Sequence, residues 1–340
     1  METKRVIVDG TENLAFDEAV ALLKAGEVVA FPTETVYGLG GIATDDDAVS
    51  KIYGAKGRPS DNPLIVHIGS FEQLDRYVED LSEKAKACMK AFWPGPLTVI
   101  CKVKPGTLST KVTAGLDTVG IRMPNHPVAL RLLRQLDEPV AAPSANTSGK
   151  PSPTEGIHVE EDLKSRIPLI LDGGATGIGV ESTVIDLTLE TPTILRPGGI
   201  TKEMFEQLIG PVNEPTHIEQ KAGAPKAPGM KYTHYAPNAP VYQIQCDEQL
   251  VQEAITDLRA KGNKIALLAP DAFQQLGADW FFTFGDGSHE QMAAHLYDAL
   301  RSCNSTNADI VLATVTDRSG VGSAIMNRLE KSAGGHWYQK

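Results

Sequence analysis

Val28-Val29-Ala30-Phe31-Pro32-Thr33-Glu34-Thr35-Val36-Tyr37-Gly38-Leu39-Gly40 decides how the first two thirds of the chain is read. The apolar run Val28–Phe31 is a buried strand, and it stops abruptly at Pro32, which has no N–H to offer a ladder. Polar side chains crowd the strand end, and the chain then turns away through glycines. A buried strand that delivers polar groups to a loop is the repeating unit of an α/β sheet with ligands at strand termini.

The same unit recurs on both sides of this stretch. Strands are expected at Val6–Val8, Leu64–Ile68, Leu97–Cys101, Val119–Arg122, Val140–Ala142, Leu169–Leu171, Thr183–Leu187 and Thr193–Leu195. Helices are expected at Leu14–Ala25, Asp45–Gly54, Ser82–Phe92, Pro127–Leu136 and Lys202–Leu208. Strands outnumber helices, so residues 1–210 read as a large α/β domain built on a twisted, mixed sheet. Residues 211–240 hold six prolines and almost no apolar periodicity, the texture of a linker. From Val241 to the end strands and helices alternate again, with Met292, Leu296, Ala299 and Cys303 forming one helical stripe. That pattern predicts a smaller parallel, doubly wound, Rossmann-like α/β domain over residues 241–340.

Composition sets the limits. The chain has 340 residues, 41% hydrophobic and 22% charged, and at ~100–200 residues per domain two domains are expected. Of the net charge of -11, residues 1–210 carry -8 (21 cations against 29 anions) and the remainder -3 (11 against 14). Neither part has the bulk cationic character that a nucleic-acid backbone requires. Cys88, Cys101, Cys246 and Cys303 form no C-x-x-C pair and read as reduced thiols of a cytoplasmic protein. The start METKRVIVDG shows no apolar signal segment, and no run approaches the ~20 apolar residues of a membrane helix.

Several familiar signatures fail on inspection. A Walker A loop is absent, because the Gly-rich stretch Gly173–Gly179 lacks its lysine. Gly320-Val321-Gly322 lacks the third glycine of a dinucleotide turn, and His289 and His295 are six apart, off any shared helical face. No G-x-S-x-G elbow exists, and no metal site is expected.

Four polar segments at strand ends remain: Pro32–Gly40; Lys56-Gly57-Arg58-Pro59-Ser60-Asp61-Asn62-Pro63-Leu64; Ala142-Pro143-Ser144-Ala145-Asn146-Thr147-Ser148-Gly149; and Glu181-Ser182-Thr183-Val184 with Leu195-Arg196-Pro197-Gly198-Gly199. Lys56 and Arg58, two residues apart on a loop stiffened by Gly and Pro, can converge on one polyphosphate as a point charge and a bidentate fork. Read as loop residues, either should be removable at little cost to the fold. In this order the segments resemble the YrdC-type threonylcarbamoyl-AMP synthases, in the long form with an extra C-terminal domain. The motifs P-T-[DE]-T-V-Y-G-L, K-x-R-x-x-x-x-P-L and P-S-A-N-x-S-G carry the resemblance over residues ~10–210. Pro228–Pro237 resembles the long form's linker signature.

The resemblance implies ATP-dependent synthesis of L-threonylcarbamoyl-AMP from L-threonine and bicarbonate, with magnesium on the leaving phosphates. It implies a nucleotide-phosphate cluster of Lys56, Arg58, Ser144 and Asn146, with further ATP contacts from Asn62, Thr118, Ser152, Arg196 and Tyr235. It implies a threonine pocket of Thr35, His67, Arg122, the backbone at Ala142, and Ser182. The product would go to downstream tRNA threonylcarbamoyl-transfer machinery, with weak or no direct tRNA binding and no membrane partner. The linker is expected to act as a lid that keeps water from the product, with Tyr235 on the nucleotide. Two rivals are a double-stranded-RNA or tRNA binder, disfavoured by charge, and a carbamoyl transferase, whose zinc-finger-like cysteine clusters are missing here.

Overall fold

The computed structural model describes residues 1–214 and 235–339, which divide into two compact units. The first unit takes residues 1–148, 153–177 and 181–214; the second takes 235–339 with the short stretches Gly149–Ser152 and Ile178–Val180. In chain order the first unit contains β1 (Lys4–Ile7), α1 (Asn13–Lys24), β2 (Val29–Phe31), β3 (Gly38–Ile42), α2 (Asp46–Lys56), β4 (Ile65–His67), α3 (Phe71–Tyr77), β5 (Val78–Glu79), α4 (Glu83–Phe92) and β6 (Leu97–Val103). It continues with α5 (Thr110–Thr113), β7 (Thr118–Arg122), α6 (Pro127–Leu136), β8 (Val140–Ala141), α7 (Gly156–Leu163), β9 (Leu169–Asp172), β10 (Thr183–Asp186), β11 (Thr193–Arg196) and α8 (Lys202–Ile209).

These strands form one mixed sheet in the order β1-β9-β2-β3-β8-β4-β7-β6-β10-β11, with β5 on β6. The pairs β1/β9, β2/β9, β4/β7 and β6/β10 are parallel, whereas β2/β3, β3/β8, β4/β8 and β6/β7 are antiparallel. The period-2 alternation of a strand sends neighbouring side chains to opposite faces. Leu97, Val99 and Cys101 of β6 and Val119 and Ile121 of β7 enter the main core, against Val49 and Ile52 of α2, Met89 of α4 and Phe205 of α8. On the other face, Phe16 and Leu23 of α1 and Leu132 and Leu133 of α6 pack with strands β2, β8 and β9 through Val29, Phe31, Val140, Leu169 and Leu171. Farther across that face a small group of Ile65, Ile100 and Val184, with Leu195, replaces the helix-covered core. The polar positions of β4, β6, β7 and the β10 and β11 termini stand beside it.

Helix α2 shows how local sequence fixes a functional segment. Asp45 caps it by accepting from the N–H groups of Asp47 (2.8 Å) and Ala48 (3.2 Å), and Asp46 and Asp47 sit at the positive end of the dipole. Gly57, at φ 63, supplies the left-handed stop. The helix therefore runs through Lys56, two residues beyond the expected end.

The second unit contains β12 (Val241–Ile244), α9 (Glu248–Ala260), β13 (Ile265–Ala269), a 3-10 turn at Asp271–Leu276, β14 (Trp280–Thr283), α10 (His289–Ser302), β15 (Ile310–Thr314) and α11 (Gly322–Ser332). Its four strands are all parallel, in the order β12-β15-β13-β14, so the chain reverses direction across the sheet when β15 returns beside β12. Ile244, Val251, Ile255, Ile265, Leu267 and Leu312 form its core. Among the described residues no helix is long and apolar enough to cross a membrane.

Candidate active site

The loop after β2 divides its side chains between holding the turn and facing the sheet. Thr33 donates to the Val36 carbonyl (2.7 Å), and its Oγ1 accepts from the N–H groups of Thr35 and Val36. The Tyr37 hydroxyl lies 2.7 Å from the Gly174 carbonyl and 3.0 Å from the Asp172 carboxylate, and it accepts from the Gly173 N–H (3.1 Å). Burial and the Asp172 charge push that phenol far above its ordinary pKa, so Tyr37 stays a neutral structural post. With both ends of the turn fixed, Glu34 and Thr35 project toward β7. Thr35 accepts from Arg122 Nη1 (3.0 Å), and Glu34 Oε1 lies 2.8 Å from Arg122 Nη2.

Sheet register sets the rest. His67 pairs with Arg122 across β4/β7, Arg122 with Thr98 across β7/β6, Thr98 with Val184 across β6/β10, and Val184 with Arg196 across β10/β11. Residues far apart in sequence thus lie on one line across five consecutive strands. Ser182, just before β10, joins the line: its hydroxyl is 2.8 Å from Thr98 Oγ1 and accepts from Arg196 Nη2 (3.1 Å), while Arg196 Nε donates to the Ser182 carbonyl (3.0 Å). Ala142, next to β8, donates its N–H to the Ile65 carbonyl on β4 (2.9 Å). The expected threonine residues Thr35, His67, Arg122, Ala142 and Ser182 are therefore gathered on one stretch of sheet, with Arg196 beside them.

Burial here is deep and incompletely compensated. His67, Arg122 and Ser182 are 3%, 4% and 1% exposed. Yet His67 Nδ1, Arg122 Nε and Nη2, and both Glu34 carboxylate oxygens have no hydrogen-bond partner among the described residues. The Glu34–Arg122 pair is close, but the two groups miss hydrogen-bond alignment. Unsatisfied buried polar atoms cost about 1–3 kcal/mol each, so this cluster calls for partners of the kind a polar ligand could supply. Burial, with the Arg122 charge next in effect, holds His67 down at about 3, which leaves its imidazole neutral.

The other expected cluster lies at the end of α2. Lys56 is 2% exposed, and its ammonium donates to the carbonyls of Ser144 and Asn146, the latter at 2.6 Å. Arg58 donates to the carbonyls of Asn62 (3.3 Å) and Pro63 (3.0 Å). Asn62 is buried with Oδ1 unsatisfied among the described residues. Lys56, Arg58, Asn62, Ser144 and Asn146 thus form two linked loops. This corrects the expectation that Lys56 is a loop cation removable at little cost to the fold: it ends a helix, is buried, and clasps the Ser144–Asn146 turn. Thr118 opens β7 on the same strand face as Arg122, two alternations away.

Ser152 and Tyr235 fall in the second unit. Ser152 is 1% exposed. Tyr235 adopts the left-handed region at φ 70, donates its N–H to the Gly149 carbonyl (2.9 Å) and stacks its ring on Tyr297 at 5.1 Å. A non-glycine residue held there is strained by about 1–3 kcal/mol, so its surroundings fix it. Residues 215–234, which include most of the expected lid, lie outside the described residues. Two residues went unassigned in the sequence: Thr98, hidden as the one polar member of an apolar run, and Glu34, visible in the first motif but given no role.

The Sua5/YciO/YrdC family model, described as telomere recombination, matches residues 21–198, and the model of the threonylcarbamoyl-AMP synthase C-terminal domain matches residues 200–334. The chain belongs to the threonylcarbamoyl-AMP synthase family. It is 51% identical to the threonylcarbamoyl-AMP synthase of Bacillus subtilis, over 98% of this chain and 99% of that protein. It is 39% identical to that of Schizosaccharomyces pombe, over 98% and 91%. The crystal structure of Pyrococcus abyssi Sua5 complexed with L-threonine superimposes with a TM-score of 0.93 at 43% identity, over 100% of both chains. Both the large mixed sheet and the small parallel one are thus those of this family.

Proposed function

We propose that this chain joins L-threonine, bicarbonate and ATP into L-threonylcarbamoyl-AMP and releases pyrophosphate, supplying the group transferred to adenosine in tRNA. The observation that carries the reading is the line of buried groups at His67, Arg122, Thr98, Ser182 and Arg196, with an unsatisfied guanidinium edge at its centre. Arg122 Nε and Nη2 form the edge that takes a carboxylate bidentately. The neutral imidazole of His67 and the hydroxyl of Ser182 suit threonine's own hydroxyl.

The carbamate formed from threonine's amine is already an anion, so its attack on the α-phosphate needs no protein nucleophile. What it requires is alignment and charge neutralisation. Lys56, Arg58, Ser144 and Asn146 bring two cations and polar donors to linked loops, and Asn62, Thr118, Ser152, Arg196 and Tyr235 are assigned the remaining ATP contacts. Magnesium would enter with ATP, held by its phosphates and by water, and would supply charge neutralisation there. Among the described residues no group of three or more His, Cys, Asp or Glu side chains forms a protein cage for it.

Residues 211–240 are assigned the role of shielding the hydrolysable mixed anhydride from water. The adenylate then passes to the tRNA-modifying machinery, and the net charge of the large domain favours handover over direct tRNA capture. Free thiols at Cys88, Cys101, Cys246 and Cys303, three of them buried, suit the cytosol. The test is exchange of labelled pyrophosphate into ATP. Exchange should require threonine and bicarbonate together, and exchange that is indifferent to either refutes the assignment.

A further inference from the structure

Glu34 has a place in the site but no task in the reaction as set out above. Among the described residues it is the acidic side chain that pairs with Arg122, and the turn that carries it is fixed by Thr33 and Tyr37. Its side chain is 13% exposed, neither carboxylate oxygen has an aligned donor among the described residues, and the facing Arg122 edge is equally unsatisfied. An aligned pair would close on itself. This pair is adjacent, opposite in charge and unaligned, which complements an α-amino acid zwitterion, whose ammonium and carboxylate also sit side by side.

We infer that Glu34 receives the α-ammonium of threonine and takes its proton. The inference rests on the function proposed above. Threonine's carboxylate takes Arg122 Nε and Nη2 and displaces Glu34 from its cation. With its cation engaged by the substrate carboxylate, Glu34 is left facing the substrate ammonium beside it. One N–H bond breaks and its proton passes to Glu34. The freed nitrogen lone pair forms the C–N bond to bicarbonate, the bicarbonate C–OH bond breaks, and the hydroxide leaves as water with a second amine proton. Zwitterion, carboxylate and bicarbonate thus become carbamate, water and a protonated Glu34, with charge and atoms conserved. His67 is neutral and held at about 3, too weak a base for this step. Among the described residues, the ionisable groups near Glu34 are Arg122 from β7, His67 from β4 beside Arg122, and His126 before α6, whose pKa burial lowers and Glu34 raises.

The test compares wild type with Glu34→Gln and Glu34→Asp in threonine-dependent synthesis between pH 7 and 9. A general base contributes about 10²–10⁴-fold, so Glu34→Gln should lose at least about 100-fold in kcat at pH 7. It should recover close to tenfold per pH unit as free threonine deprotonates, while the wild-type profile stays flatter and Glu34→Asp lies between. Because removal of Glu34 leaves Arg122 unpaired, wild type is also titrated with 2,3-dihydroxybutanoate, which is threonine with a hydroxyl in place of the ammonium. It should bind at least about tenfold more weakly than threonine. An active wild type together with an equally active Glu34→Gln at pH 7, or equal binding of the two ligands, overturns the proposal alone. A wild type with no threonine-dependent synthesis overturns the functional reading and the proposal with it.

Discussion

Lys56→Met separates two roles that one ammonium can play. In the structure Lys56 is 2% exposed and donates to the carbonyls of Ser144 and Asn146. Methionine keeps a flexible stem of similar length and removes the ammonium, both its donors and its charge. Each buried carbonyl left without a donor costs about 1–3 kcal/mol. Ser144 is only half-buried, so water compensates part of its loss, and the total comes to about 2–4 kcal/mol. At roughly 2–4 °C per kcal/mol for a unit of this size, the first unit should melt about 5–15 °C lower. Calorimetry on the full chain reads this directly. Synthesis, followed by pyrophosphate release well below the melting range, should fall at least about 100-fold, because the turn bearing Ser144 and Asn146 and the charge near the phosphates are lost together. Lys56→Arg should not rescue it, since a planar fork does not fit a slot shaped for a point charge. A Met variant that melts within about 1 °C of wild type refutes the clasp, whatever its activity.

Three further outcomes are expected. His67 has a folded pKa of about 3 against an ordinary 6.5, so the unfolded state binds the proton first, and stability is lost as pH falls below 6.5; between pH 7 and 5 this amounts to about 2 kcal/mol. Urea midpoints should show that loss, and His67→Gln should flatten it. Serine, lacking threonine's methyl, should be used roughly 10–200-fold less efficiently by kcat/KM, and valine, which leaves His67 and Ser182 without the hydroxyl, less efficiently still; equal use of valine contradicts the pocket. Truncation after Gly210 should leave a soluble first unit with strongly reduced synthesis, and proteolysis within residues 211–240 of the full chain should slow when ATP and threonine are both present; unchanged turnover and unchanged cleavage refute the lid.

The fold was legible wherever one face of an element is plainly apolar. Strands such as β6 and β7 and helices such as α6 and α10 follow from their periodicity. β3 did not, because Gly38-Leu39-Gly40-Gly41 reads as a turn. Its glycines are there for packing: a Cβ on Gly40 would lie 2.7 Å from both the Phe31 ring and Val140 Cγ1, so only glycine lets β3 cross this part of the sheet. α3, α5 and α7 are short, and helices of that length draw their stability from tertiary contacts that leave little trace in local sequence.

The candidate site was legible as segments but not as geometry, because its geometry is a matter of strand register. His67, Arg122, Thr98 and Arg196 have no common spacing in sequence, and only the pairings β4/β7, β7/β6, β6/β10 and β10/β11 bring them to one level. For the same reason Thr98, the hydroxyl that orients Ser182, passes as an ordinary strand residue. The motif Pro32–Gly40 shows the converse. Its residues are adjacent in sequence, yet their tasks diverge: Thr33 and Tyr37 fix the turn from within, while Glu34 and Thr35 meet a guanidinium contributed by a distant strand. Holding a carboxylate beside Arg122 without letting the two align requires that rigidity. A mobile turn would let Glu34 rotate into full bidentate contact, satisfy the guanidinium edge, and close the position proposed for the substrate carboxylate.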